Sequence, residues 1–211
     1  MKKVLIIGAH GKIAQIVRRR LLAETDAYIT LFLRNGNRMK VVDDTREKII
    51  TGDANSYADV LAATKDQDIV YVNLGGQLAP MVTNIVKAME VNQVARIIYI
   101  SSLGIYHEVP EPFGSFVVNS VGKKVMNDTI QAAQVIENST LNYTIIRSAY
   151  MNDDENIDYE LTQKGQPFQG TIISRNSIAD LVVKTIKDPN INQKSSLGIA
   201  KPGTDGDIPM Y

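Results

Sequence analysis

The chain has 211 residues, with 23 Lys plus Arg balanced by 23 Asp plus Glu, so its formal net charge is zero. That balance leaves no broad electrostatic footprint for nucleic acid or an acidic membrane, and the absence of cysteine excludes disulfides, thiolate metal ligands and a cysteine nucleophile. The length suits one well-buried α/β domain over residues 1–211. No apolar run approaches a membrane span, and a first strand starting close to Met1 leaves no room for a signal peptide; a cytoplasmic protein is expected.

The chain opens on Lys3-Val4-Leu5-Ile6-Ile7-Gly8-Ala9-His10-Gly11-Lys12-Ile13-Ala14. Val4 to Ile7 form an unbroken, mostly β-branched apolar run, which reads as a strand buried on both faces inside a parallel sheet. Gly8 and Gly11 bracket a turn, and Ile13, Ile16, Val17 and Leu21 then recur at the period of an amphipathic helix. In such a turn one glycine permits the bend, a second admits a phosphate close to the backbone, and a small residue, here Ala14, lets the helix pack against the sheet. The N–H groups around Lys12 and Ile13, with the positive end of the helix dipole, suit a pyrophosphate. His10 lies within the turn as a lining residue. The alternative is a tight strand-to-helix turn that binds nothing.

Tyr28 to Leu33 reads as the second strand. About 20 residues beyond such a glycine motif, an acid suits the ribose of NAD and an arginine the 2′-phosphate of NADP. Here stands Leu33-Arg34-Asn35-Gly36-Asn37-Arg38, without a carboxylate, so Arg34 and Arg38 favour NADPH over NADH. Upstream, Arg18-Arg19-Arg20 reads as a solvated helix end.

A third strand at Lys48 to Ile50 leaves into Thr51-Gly52-Asp53-Ala54, where Asp53 and Ala54 are placed to meet an adenine ring; Asp53, Asn55 or Ser56 also suits the cap of the next helix. Asp68 to Val72 is the fourth strand. It ends in Asn73-Leu74-Gly75-Gly76, where the strand order should reverse, so Asn73, Leu74 and Gly75 are expected beside the cofactor. A helix follows from about Ala79, with Met81, Ile85, Met89 and Val94 as its apolar pattern.

Arg96 to Ile100 is the fifth strand, leading into Ser101-Ser102-Leu103-Gly104-Ile105-Tyr106. The hydroxyls of Ser101, Ser102 and Tyr106 are candidates to meet the nicotinamide end of a cofactor or a substrate carbonyl; the serines equally suit an ordinary turn. A long helix is expected from Ser120 to about Glu137, a sixth strand over Tyr143 to Arg147, and a pocket segment at Ser148 to Asn152. The run Asp153-Asp154-Glu155 reads as a solvated helix start, and no metal site is expected. Arg175 to Lys187 is the last helix, capped by Ser174 or Asn176, and Ser196 to Ala200 adds a seventh strand. The fold class is thus a Rossmann-type, doubly wound, mostly parallel sheet of about six to seven strands with helices on both faces.

Taken together, Gly8 to Ala14, Gly52-Asp53, Tyr99-Ile100-Ser101-Ser102, Tyr143 to Arg147, and Ile173-Ser174-Arg175 through Ala179-Asp180 resemble the atypical short-chain dehydrogenase/reductases of the NAD(P)H-binding, NmrA-like type, which include small flavin and biliverdin reductase-like proteins. The wider superfamily uses a Tyr-x-x-x-Lys pair, in which lysine lowers the phenol's pKa for proton transfer to a carbonyl. This chain has none: Pro110 follows Tyr106 at that spacing, and Asn119 and Ser120 precede Lys123 and Lys124. Relatives lacking the pair often reduce flavins or quinones, so the resemblance implies NADPH-dependent reduction of such a small-molecule acceptor by a monomer or homodimer, with Ser101, Ser102 and Tyr106 orienting the acceptor. A non-catalytic NAD(P)-binding redox sensor is the alternative reading.

Overall fold

Burial on both faces explains the composition of the first strand: Val4 to Ile7 are fully buried, and each such side chain contributes roughly 1.5–3 kcal/mol by leaving water. The computed structural model describes residues 1–211. In chain order its elements are β1 (Lys3–Ile7), α1 (Lys12–Glu24), β2 (Tyr28–Leu33), β3 (Glu47–Thr51), α2 (Tyr57–Thr64), β4 (Ile69–Val72), α3 (Leu78–Val91), β5 (Arg96–Ser102), α4 (Phe113–Val121), α5 (Lys123–Glu137), β6 (Asn142–Ser148), β7 (Tyr150–Asn152), β8 (Glu160–Gln163), β9 (Ile172–Ser174), α6 (Arg175–Lys187) and β10 (Ser195–Ala200).

The main sheet has eight strands in the order β3-β2-β1-β4-β5-β6-β10-β8. All pairs are parallel except β10 with β8. It is the Rossmann-type doubly wound sheet expected, one strand larger: β8 is a short antiparallel edge strand without an apolar run, which leaves it no periodic signal. A separate parallel pair joins β7 to β9. The chain winds from β1 through β2 to β3, then returns to place β4 on the other side of β1. The order therefore reverses between β1 and β4, and the loops leaving those strands bound a crevice.

Three local expectations change. The helix anticipated from Ser120 to Glu137 is α5, which starts at Lys123, and an unanticipated helix α4 precedes it with Gly122 between the two. Val94 lies past the end of α3 yet is buried. The arginine run in α1 is no solvated end: Arg18 is buried with its guanidinium on both Glu47 carboxylate oxygens, at 2.5 and 2.7 Å, and Arg20 reaches Glu24 and Asp180. Those partners lie on other elements or a turn away, beyond what the run itself encodes.

Candidate functional site

Two cavities open at the carboxyl ends of the strands and share Gly11, Asn73, Leu74 and Gly75. The outer one, about 780 Å³, is lined by Gly8, His10, Arg34, Arg38, Asp53 and Ala54 among others. The inner one, about 420 Å³, adds Lys12, Ile13, Ser101, Ser102, Thr129, Met151 and Arg175. They form one crevice along the switch point.

The shared segment is built by a tight interlock. Gly8 has φ +81°, in the left-handed region that disfavours other residues, and a Cβ there would overlap the Asn73 carbonyl. The Gly8 N–H donates to the Phe32 carbonyl, and Asn73 N–H to that of Ile7. β1, β2 and β4 are thus pinned at the floor of the crevice.

Three helices, α1, α3 and α6, set their first residue on the crevice wall; Ser174 caps α6, and of the other two only one is left open. In α3, the Leu78 and Ala79 N–H groups donate to the Asp128 carboxylate of α5, at 2.6 and 3.1 Å. In α1, Gly11 stands at the cap with no side-chain hydrogen bond to the first turn. Unsatisfied N–H groups together with the dipole make that end a site for an anion. Asp128 carries no local signal in the sequence, since its role depends on α5 packing beside α3.

At the outer end, Arg34 and Arg38 take part in none of the structure's ion pairs. Hydrogen bonds from the Asn55 N–H and side chain, helped by the charge of Arg34, hold the Asp53 carboxyl below the usual carboxylate range. Asp53 does not cap α2; Ser56 does, accepting from Asp59 N–H. The groups present fit a nucleotide with an extra phosphate: an open helix end in the middle and two uncommitted guanidinium groups beyond it.

The inner end is mixed, with Ile13, Leu74, Leu78, Ile100 and Met151 beside Lys12, Asn73, Thr129, Arg175 and the two serine hydroxyls. Ser101 is 6% exposed and its Oγ has no hydrogen-bond partner. Such a group awaits a ligand or carries a desolvation cost. The Ser102 hydroxyl donates to the carbonyl of Leu103. Tyr106 lines neither cavity. Its hydroxyl donates to Glu137 at 2.7 Å and lies 3.1 Å from Ser196 Oγ, while the Arg147 guanidinium stands over its ring. Burial, reinforced by Glu137, pushes this phenol above its ordinary pKa, so it is a structural strut and no proton donor to the crevice.

The acidic run is likewise not a helix start. Asp153 pairs with Lys12 and Arg175, and Asp154 with Lys201. Sequence reasoning placed Met151 at the pocket but did not single out Thr129 or Arg175. Thr129 sits mid-helix with no motif around it, whereas Arg175 lay within a stretch already matched to the family resemblance.

A doubly wound parallel sheet with this crevice at its switch point defines a Rossmann-type α/β protein. A family model described as NAD(P)H-binding matches residues 8–189, and the chain belongs to that family. It superposes on a short-chain dehydrogenase/reductase of Veillonella parvula in complex with NADP at TM-score 0.94 and 29% identity, covering 100% of this chain and 99% of that one. A Rossmann-fold NAD(P)-binding family protein of Shigella flexneri shares 39% identity at TM-score 0.80, with 100% and 99% covered. ChuY, an anaerobilin reductase of Escherichia coli, has the same fold at TM-score 0.81 and 18% identity, covering 97% of this chain and 100% of that one. No curated protein matches the sequence. No helix is long and apolar enough to cross a membrane.

Proposed function

We propose that the protein is an NADPH-dependent reductase of a conjugated acceptor of flavin or quinone type, carried by one domain over residues 1–211. The observation that carries this reading is the inner end of the crevice, where Ser101, its buried Oγ unpartnered, stands beside Ile13, Leu74, Leu78, Ile100 and Met151 and no carboxyl, imidazole or phenol lines the cavity. Flavins and quinones take a hydride with little help from a protein acid, and the bound nicotinamide supplies that hydride.

The chain's own residues bind and orient. The first turn of α1, with Gly8, Gly11, Lys12 and Ile13, receives the pyrophosphate; Arg34 and Arg38 receive the 2′-phosphate; Asp53 and Ala54 border the adenine; Asn73, Leu74 and Gly75 form the floor, with His10 beside the turn. Ser101 donates to a polar atom of the acceptor, Ser102 lies alongside, and Leu78, Ile100 and Met151 exclude water around the reacting faces. The NADP of the Veillonella protein supports the choice of nucleotide. The test is oxidation of NADPH and NADH by the purified protein with FMN, riboflavin and a small quinone, alongside calorimetric binding of both nucleotides. Turnover with NADPH and one acceptor is expected. Tight binding with no turnover would overturn the reductase reading in favour of a sensor.

A further inference from the structure

The inner cavity is lined by two cations, Lys12 and Arg175, and by no carboxylate. Each opens a helix, α1 and α6 respectively. One carboxylate outside the cavity wall bridges them: Asp153 Oδ2 accepts from Lys12 Nζ and Oδ1 from Arg175 Nη1, both at 2.7 Å. The Asp153 side chain is 62% exposed, and an ion pair that exposed contributes little to stability. The chain just after it, by contrast, is held. The next residue donates its N–H to Asn152 Oδ1, accepts from Asn176 Nδ2 and pairs with Lys201, and Asn156 accepts from Ser174 Oγ. An exposed carboxylate thus engages the guanidinium that an anionic ligand in the cavity would compete for. Ser101 also lines this cavity, and its buried Oγ lacks a partner.

We propose that the acceptor is an anion: a conjugated molecule carrying a phosphate or carboxylate, which Arg175 takes in exchange for Asp153 while Ser101 donates to the ring system. This rests on the reductase reading for the kind of molecule, and adds its charge. Arg175 is the specificity residue, because a guanidinium pairs with either anion through two parallel hydrogen bonds. Asp153 is the competing carboxylate, holding that guanidinium until a ligand displaces it.

FMN and riboflavin differ by one phosphate, and a naphthoquinone carboxylate and its methyl ester by one charge, so each pair isolates the anion. Binding of all four to the NADP⁺-loaded protein, by fluorescence or calorimetry, is read beside turnover with NADPH. The charged member of at least one pair should bind about tenfold tighter at low salt, and the pair that discriminates identifies the anion. Arg175→Gln should erase that preference by raising KM with kcat unchanged, Arg175→Lys should retain part of it, and Asp153→Asn should widen it. Equal binding within both pairs, binding by none of the four, or a preference that survives Arg175→Gln would overturn the proposal. Discrimination without turnover would uphold the anion site at Arg175 and sink the reductase reading alone.

Discussion

Gly11 stands so close to Asn73 that a Cβ on Gly11 would overlap the Asn73 side-chain nitrogen. The glycine turn after β1 and the exit of β4 are therefore one interlocked unit, and the two glycines of that turn meet different obstacles. Gly8 faces backbone, which cannot yield, whereas Gly11 faces the end of a side chain, which can. Gly8→Ala should lower Tm by more than about 5 °C, since left-handed strain alone costs of order 1–3 kcal/mol. Gly11→Ala should fold with a near-native Tm yet bind NADPH more weakly, because Asn73 is pushed into the junction of the two cavities. Thermal melts beside calorimetry separate the two outcomes.

Arg34 reaches the outer cavity without an ion-pair partner. Arg34→Asp should weaken NADPH binding about tenfold or more, the loss of a charge-assisted hydrogen bond of roughly 1.5–3 kcal/mol, while NADH binding holds or rises. Equal effects on both nucleotides, measured by calorimetry, would remove Arg34 from the 2′-phosphate.

Ser101 and Tyr106 should part company. Ser101→Ala removes a buried hydroxyl with no partner, so the melting temperature should hold or rise while kcat/KM falls about fivefold, the worth of one hydrogen bond of about 1 kcal/mol. Tyr106→Phe should do the reverse, costing about 1 kcal/mol of stability through the lost bond to Glu137 and leaving kcat/KM within about twofold. Urea denaturation with steady-state kinetics on both variants checks the pair.

Asp180 sets an acid limit to stability. Burial favours its neutral form, but hydrogen bonds from Lys184, Tyr159 and Arg20 outweigh burial and hold the carboxyl below its ordinary pKa. The depressed folded pKa means the contribution is complete above about pH 5 and is lost as pH falls below the unfolded value of about 3.9. Urea denaturation between pH 3 and 7 should show this fall, and Asp180→Asn should be less stable at neutral pH with a shallower acid limb.

Legibility in the sequence followed the range of the interactions. β1, its glycine turn and α1 were readable because burial on both faces, the turn and the helical period are all written within a short stretch. The exits of β2, β3 and β4 were placed by the same local signals, and with them the outer cavity from Arg34 to Gly75. Helix α4, the edge strand β8 and the β7–β9 pair were not, because elements this short carry too little period to stand out.

What the sequence determined by itself was the parallel part of the sheet and the place of the crevice, since local burial patterns and the handedness of strand connections leave few alternatives. What only the tertiary structure decided was which polar groups are spent and which are free. Asp128 closes α3 and leaves α1 open, Glu137 withdraws Tyr106 from the crevice, and Asp153 reaches back to Lys12 across most of the chain. Each is a contact between side chains brought together by packing, and no local pattern of residues encodes a partner that distant.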